Sequence, residues 1–219
     1  FRSRHYAHGG AYSGASENGT CATLHTMAVN GYGTASPDTR LELNFYTGRV
    51  EVDGKYVTLD DGTPLQYMPL AVEQNLTASK YIETAGARMK KYEVDRTAYS
   101  DGRMPDNDIV LYRYADVLLM KAEAKVRNGE TGDEQLNAVR SRVGMPSLAA
   151  TLANILDERL LELVWEGWRR QDMIRFGTYC EPYDIHTQSA ADKKGYTIVF
   201  PIPEKACELN PNLAQNPGY

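Results

Sequence analysis

The feature that most restricts how this chain can fold is a run of apolar residues at helical spacing, punctuated by glycine, that begins just after residue 108. Val110, Leu111, Tyr114, Ala115, Leu118, Leu119 and Ala122 recur at i, i+3 and i+4, which lines one broad face of an α-helix. Asp108 is placed to cap this helix, which the pattern carries from about Ile109 to Asn128. Asn128 and Gly129 end it, because glycine takes the left-handed conformation at a helix C terminus without a Cβ clash. A second helix is predicted over Glu134–Val143, stopped by Gly144 and Pro146. Thr151 caps a third, about Leu152–Glu166, broken at Gly167. Trp168–Phe176 reads as a fourth, ended by Gly177. The first two helices form an αα-hairpin and the next two resemble another. Such hairpins suggest tetratricopeptide-type packing, although no strict 34-residue repeat is present.

Around this block the texture changes. Residues 1–105 are rich in Gly, Tyr, Thr and Asn with short apolar runs, and residues 177–219 return to Pro- and Asn-rich sequence. Gly9–Gly14 and Asn30–Gly33 read as loops. Leu41–Val52 alternates in places, with Gly48 marking a turn between two short strands. Asp53 and Gly54 suit a tight hairpin between Glu51-Val52 and Tyr56-Val57. Asp61, Gly62 and Pro64 make a further turn, and residues 88–94 read as a short extended segment. No stretch of about 18 apolar residues occurs, so no transmembrane helix is predicted. The chain opens without Met and without an apolar leader, which suggests a fragment or a processed product.

Charge and cysteine content narrow the function classes. The formal net charge is -5 over 219 residues, and no Lys/Arg run appears, which argues against nucleic acid and anionic membrane surfaces as partners. Cys21, Cys180 and Cys207 are far apart and form no CxxC or Cys/His cluster, so neither a zinc site nor a defined disulfide pair follows. Fifteen Tyr stand against 4 Phe and 2 Trp. A tyrosine ring has an apolar face and a polar tip, which suits half-wet surfaces and sugar stacking as well as the edge of a core.

Several separate segments, in order, carry a resemblance to a known family. They are DIVLYRYADVLLMKAEA at 108–124, LNAVRSR at 136–142, DERLLELVWEGWRRQDMIRFG at 157–177, FPIP at 200–203 and NPNLAQNPGY at 210–219. Together they closely resemble the C-terminal region of the SusD/RagB family over about 105–219, with a looser likeness at 36–70 through Pro37–Leu41. The segment after Trp168 departs from the family pattern, with Arg170 and Gln171 where an aromatic often precedes Asp172. The resemblance implies a mainly α fold: tetratricopeptide-like helical hairpins with long loops and a few short β-strands. Residues 1–105 would be a ligand-facing, loop- and strand-rich region, and 106–219 the helical region of the same domain. It also implies an outer-membrane, cell-surface lipoprotein acting with a TonB-dependent SusC-like transporter. The lipid anchor would belong to the family's N-terminal part, which this sequence does not include. The implied ligand is an oligosaccharide, with peptide binding in a minority of members.

Candidate site residues follow from the chemistry of sugars. A ring's CH face packs on an aromatic, while amides, guanidinium groups and backbone satisfy hydroxyls. Tyr12, Tyr32, Tyr46 and Tyr67 are the stacking candidates, with Asn30 and Arg40 as hydrogen-bonding candidates. Glu158, Glu162 and Glu166 recur at i, i+4 and i+8 on one helix face. Two of them, Glu158 and Glu162, are the alternative: a glycosidase acid/base pair, which needs one carboxyl with a raised pKa. The competing reading is an ion-pair row neutralised by Arg159, Arg169, Arg170 and Arg175. His5 and His8 lack a third ligand for a metal, and Asp101, Asp106, Asn107 and Asp108 do not have EF-hand spacing. Ser13 and Ser16 sit in no GxSxG elbow. No catalytic constellation, cofactor or metal is expected. A helical interaction scaffold with no small ligand is the remaining alternative.

Overall fold

The computed structural model of the chain describes residues 20–52, 54–59, 61–73, 83–92, 108–184 and 186–219. Tyr12, His5, His8, Ser13, Ser16, Asp101, Asp106 and Asn107 lie outside the described residues. The chain divides into two compact units, one ending at Trp168 and one running Arg169–Tyr219. The described residues are mainly helical, with three small two-stranded antiparallel pieces.

The first unit begins with helix α1 (Leu24–Val29), capped by Thr23, whose hydroxyl accepts from the Thr26 N–H at 3.1 Å. A short helix α2 (Leu41–Asn44) follows and runs directly into β1 (Phe45–Tyr46). The sequence pattern pointed to strand from Leu41 onward. The first four residues instead form a helical turn, because Leu41 joins Ala22, Met27, Phe45 and Ala87 in one buried cluster. Strand β1 pairs with β6 (Arg88–Met89), with Phe45 opposite Met89. Gly48 does not turn the chain between neighbouring strands. It lies in β2 (Gly48–Arg49), which pairs with β5 (Gln66–Tyr67). The expected hairpin forms between β3 (Glu51–Val52) and β4 (Lys55–Tyr56). These strands close over a second cluster of Val50, Val52, Leu65 and Tyr67.

The main helices are α3 (Tyr114–Arg127), α4 (Asp133–Arg142) and α5 (Leu152–Leu163). Helix α3 packs against both others, burying Leu119, Ala122, Leu136 and Ile155 completely. The α3–α4 turn is tight. Gly129 stands at φ 78°, and a Cβ on Gly132 would come 2.7 Å from the Ala122 carbonyl oxygen. Thr151 caps α5 by accepting from the Asn154 N–H at 3.1 Å.

Two predicted boundaries are corrected. Asp108 does not cap α3: the helix starts at Tyr114, and Arg113 before it is extended at φ −147° and ψ 162°. That backbone sends the Arg113 guanidinium to Glu162 and Glu166. Helix α5 ends at Leu163 rather than Glu166, with Trp165 at φ 68°. The turn seats Trp165 edge-on against Phe45, ring centroids 5.6 Å apart, and its indole N–H donates to the Asn44 carbonyl at 2.9 Å. Tertiary anchoring thus overrides helical propensity at both ends.

The second unit carries α6 (Arg169–Arg175), α7 (Ala190–Lys193), a 3₁₀ turn (Tyr196–Ile198) and α8 (Glu204–Leu209). Ser189 and Asp192 form a reciprocal capping box at α7. Hydrogen bonds from Ser189 and Thr197 hold the Asp192 carboxyl down to about 2. The Arg170 guanidinium sits 4.4 Å from the Phe200 ring centre and 4.9 Å from that of Tyr179. The Gln215 amide clamps Ile202 through bonds to its N–H and C=O, each 2.8 Å.

Candidate functional site

A charge network knits the loop after α1 to α5. The i, i+4 spacing puts Glu158 and Glu162 one turn apart on α5, and both are buried, 1% and 3% exposed. Arg40, 3% exposed, bridges them through one nitrogen, at 2.7 Å to Glu158 and 2.8 Å to Glu162. Its other edge grips Asp38 at 2.9 and 2.8 Å. Arg140 completes Glu158 at 2.6 Å. Glu162 also accepts from Arg142, at 2.8 Å to both oxygens, and from Arg113. Glu166, beyond the helix end, takes Arg113 and Lys91.

The partners expected for these carboxylates are therefore corrected. Arg159 pairs with Asp116 on α3, and Arg175 with Asp172. The cations that meet the glutamates come from far in sequence. They approach because a buried carboxylate must be paired, and each already faces α5 from its own element.

The network fixes protonation. Burial alone would raise Glu162, but hydrogen bonds from Arg113 and Arg40 outweigh it and hold the carboxyl below the usual range. Glu166 is lowered in the same way by Arg113 and Lys91, and Asp38 by Arg40. A glycosidase acid needs the opposite shift. Glu162 carries no proton to donate near neutral pH, and the oxygens of Glu158 are occupied by Arg40 and Arg140. The ion pairs tie the 38–40 loop, α4 and the residue before α3 to α5.

An open cleft of about 600 Å³ lies beside the network. Tyr46, Lys90 and Tyr92 line it, with Arg113, Arg142 and the exposed Leu43 also bordering it. Tyr46 follows α2 on β1, half-buried, with the Lys90 ammonium 5.5 Å from its ring centre. Burial and the Glu166 carboxylate push the Tyr92 phenol up to about 12, so it stays a hydrogen-bond donor. Aromatic faces, fixed cations and a concave floor suit a polar ligand with one apolar face. A second cleft, about 240 Å³, is bordered by Asn30, Asp38, Asp157 and Glu158.

The expected contact residues scatter. Of the candidate tyrosines among the described residues, Tyr46 lines the larger cleft while also packing against the Val50–Tyr67 cluster. Tyr32 packs half-buried against the Met27–Phe45 cluster. Tyr67 is corrected outright: it is 1% exposed in the strand core, with Arg88 5.3 Å over its ring, and offers no face to a ligand. Asn30 is completely buried and donates to the Thr26 carbonyl at 2.8 Å. Arg40 borders the larger cleft, but its nitrogens are taken up by Asp38, Glu158 and Glu162. Lys90, Tyr92 and Arg142 also border the larger cleft and are not among the residues expected from sequence. A basic pair followed by an aromatic, Lys90-Lys91-Tyr92, is the available signal within a segment whose pattern indicates only extended chain.

Comparison with known proteins gives one consistent answer. A family model described as the SusD family matches residues 28–219. The starch-binding protein SusD of Bacteroides thetaiotaomicron is 30% identical over 139 residues, covering 60% of this chain and 25% of that protein. The surface glycan-binding protein A of the same species shares 30% identity at a TM-score of 0.51, over 61% of this chain and 31% of its own. A SusD-like protein from Bacteroides fragilis matches all of this chain and 50% of its own at a TM-score of 0.66. Its 18% identity bears on fold alone. The chain spans about a quarter of the length of the curated relatives it matches.

Proposed function

The chain belongs to the SusD family, and from that premise we propose that it forms part of a non-catalytic, cell-surface protein that binds oligosaccharide for a TonB-dependent SusC-like transporter. The membrane contact in this reading is a lipid anchor on the longer protein. The relatives named for starch and glycan binding support the ligand class. The observation that carries it is the pairing of an open, tyrosine-bearing cleft with carboxylates locked in ion pairs. The first offers a stacking face for a sugar ring. The second removes the acid/base pair that the glycosidase alternative requires.

Calorimetric titration of the chain with a panel of neutral and acidic oligosaccharides tests it. At least one should bind, and Tyr46→Ala should weaken that binding about tenfold, the worth of one aromatic stacking contact. Tyr67→Phe, in the core, should leave it unchanged. No heat across the panel, or release of new reducing ends that stops in Glu158→Gln, would overturn the reading.

A further inference from the structure

The buried network is not charge-balanced. Among the described residues, Arg40, Lys91, Arg113, Arg140 and Arg142 face Asp38, Glu158, Glu162 and Glu166: five cations to four carboxylates. The surplus sits where water reaches it. The Arg142 side chain is 58% exposed and engages Glu162 through a single nitrogen, and that carboxylate is already shared with Arg40 and Arg113. Lys90 adds a second cation. Its ammonium donates to the Glu42 carbonyl and lies near the Tyr46 ring, with no carboxylate in ion-pair reach among the described residues. Both border the same cleft as Tyr46 and Tyr92. Against them stands Glu51, the remaining acidic side chain of that lining. With Nη2 on Glu162, Arg142 keeps its Nε and Nη1 N–H groups, charged donors suited to a carboxylate or a sulfate.

We infer that the cleft takes a sugar bearing an anionic ring substituent, a carboxylate or a sulfate. Arg142 and Lys90 hold the charge, and Tyr46 stacks on the ring. The inference rests on the oligosaccharide-binding reading and names its ligand class.

The test titrates the chain with three probes of equal length: an oligogalacturonide, its methyl-esterified neutral counterpart, and a sulfated galactan oligosaccharide. An acidic probe should bind at least tenfold tighter than the neutral one, and its affinity should fall as salt rises. Of the two acidic probes, the tighter identifies the group. Arg142→Gln should cost about tenfold for the acidic probe and little for the neutral one, as expected for loss of a charged hydrogen bond. Lys90→Gln, which leaves the buried network intact, should act in the same direction, and Glu51→Gln should tighten acidic binding. Equal affinity for acidic and neutral probes, with both cation variants silent, overturns this inference and leaves oligosaccharide binding standing. Failure of every probe to bind overturns both.

Discussion

Arg40 shows how a residue type can be legible while its role is not. In sequence it sits in a Pro37–Leu41 segment and offers five donors to a ligand. In the fold four of those donors are spent on Asp38, Glu158 and Glu162. Removing one partner of a buried ion pair strands the others without solvent. Arg40→Met should therefore cost about 3–5 kcal/mol of stability, read by urea denaturation. The network also sets a pH dependence. The folded values of Asp38, Glu162 and Glu166 lie below their ordinary values of 3.8 and 4.5. Their contribution is complete above those ordinary values and is lost as pH falls through the lowered ones. Stability should hold between pH 5 and 7 and decline below about pH 4.5. Glu162→Gln should flatten that decline. That Glu158 and Glu162 share a face was readable from their spacing. Their partners were not, because Arg40 and Arg113 lie 118 and 49 residues from them.

At the scale of elements, periodicity located the helices and tertiary contacts set their ends. The apolar stripe identified α3, α4 and α5, and Gly129, Gly144 and Thr151 fell where glycine and capping chemistry placed them. The failures were at Asp108 and Glu166. At the first, Arg113 is drawn out of the helix by Glu166. At the second, Trp165 turns back to Phe45 and Asn44. Neither pull is encoded within the helix itself. The two glycines of the α3–α4 turn should separate two kinds of cost. Gly129→Ala meets open space and bears only the left-handed backbone, about 1–2 kcal/mol. Gly132→Ala has an ordinary φ of −103° but collides with the Ala122 backbone. It should lose roughly 2–3 kcal/mol by overpacking, and thermal unfolding of the pair compares them. Thr151→Ala should cost about 1 kcal/mol through the lost α5 cap.

At the scale of the molecule, the change of texture near residue 105 is not where the compact units part. The unit ending at Trp168 contains both the small strands and the three main helices. Arg40 and Lys91 tie the one to the other through Glu158, Glu162 and Glu166. This predicts shared cooperativity. In hydrogen exchange, Arg40→Met should raise the rates of the β1–β6 ladder and of α5 together, rather than of either alone. The family was legible because several ordered segments of α3, α4 and α5 carry it. The cleft proposed to bind the ligand was less so, since its lining draws on residues 43, 46, 90, 92, 113 and 142, which only folding gathers. The central claim is that this cleft holds an oligosaccharide and leaves it whole. A crystal structure of the chain soaked with its tightest oligosaccharide tests that claim most directly. An intact sugar ring should lie on Tyr46, with Arg40, Glu158 and Glu162 still paired to one another. A bare Tyr46 with the sugar bound elsewhere, or a cleaved product against Glu158 and Glu162, would contradict it.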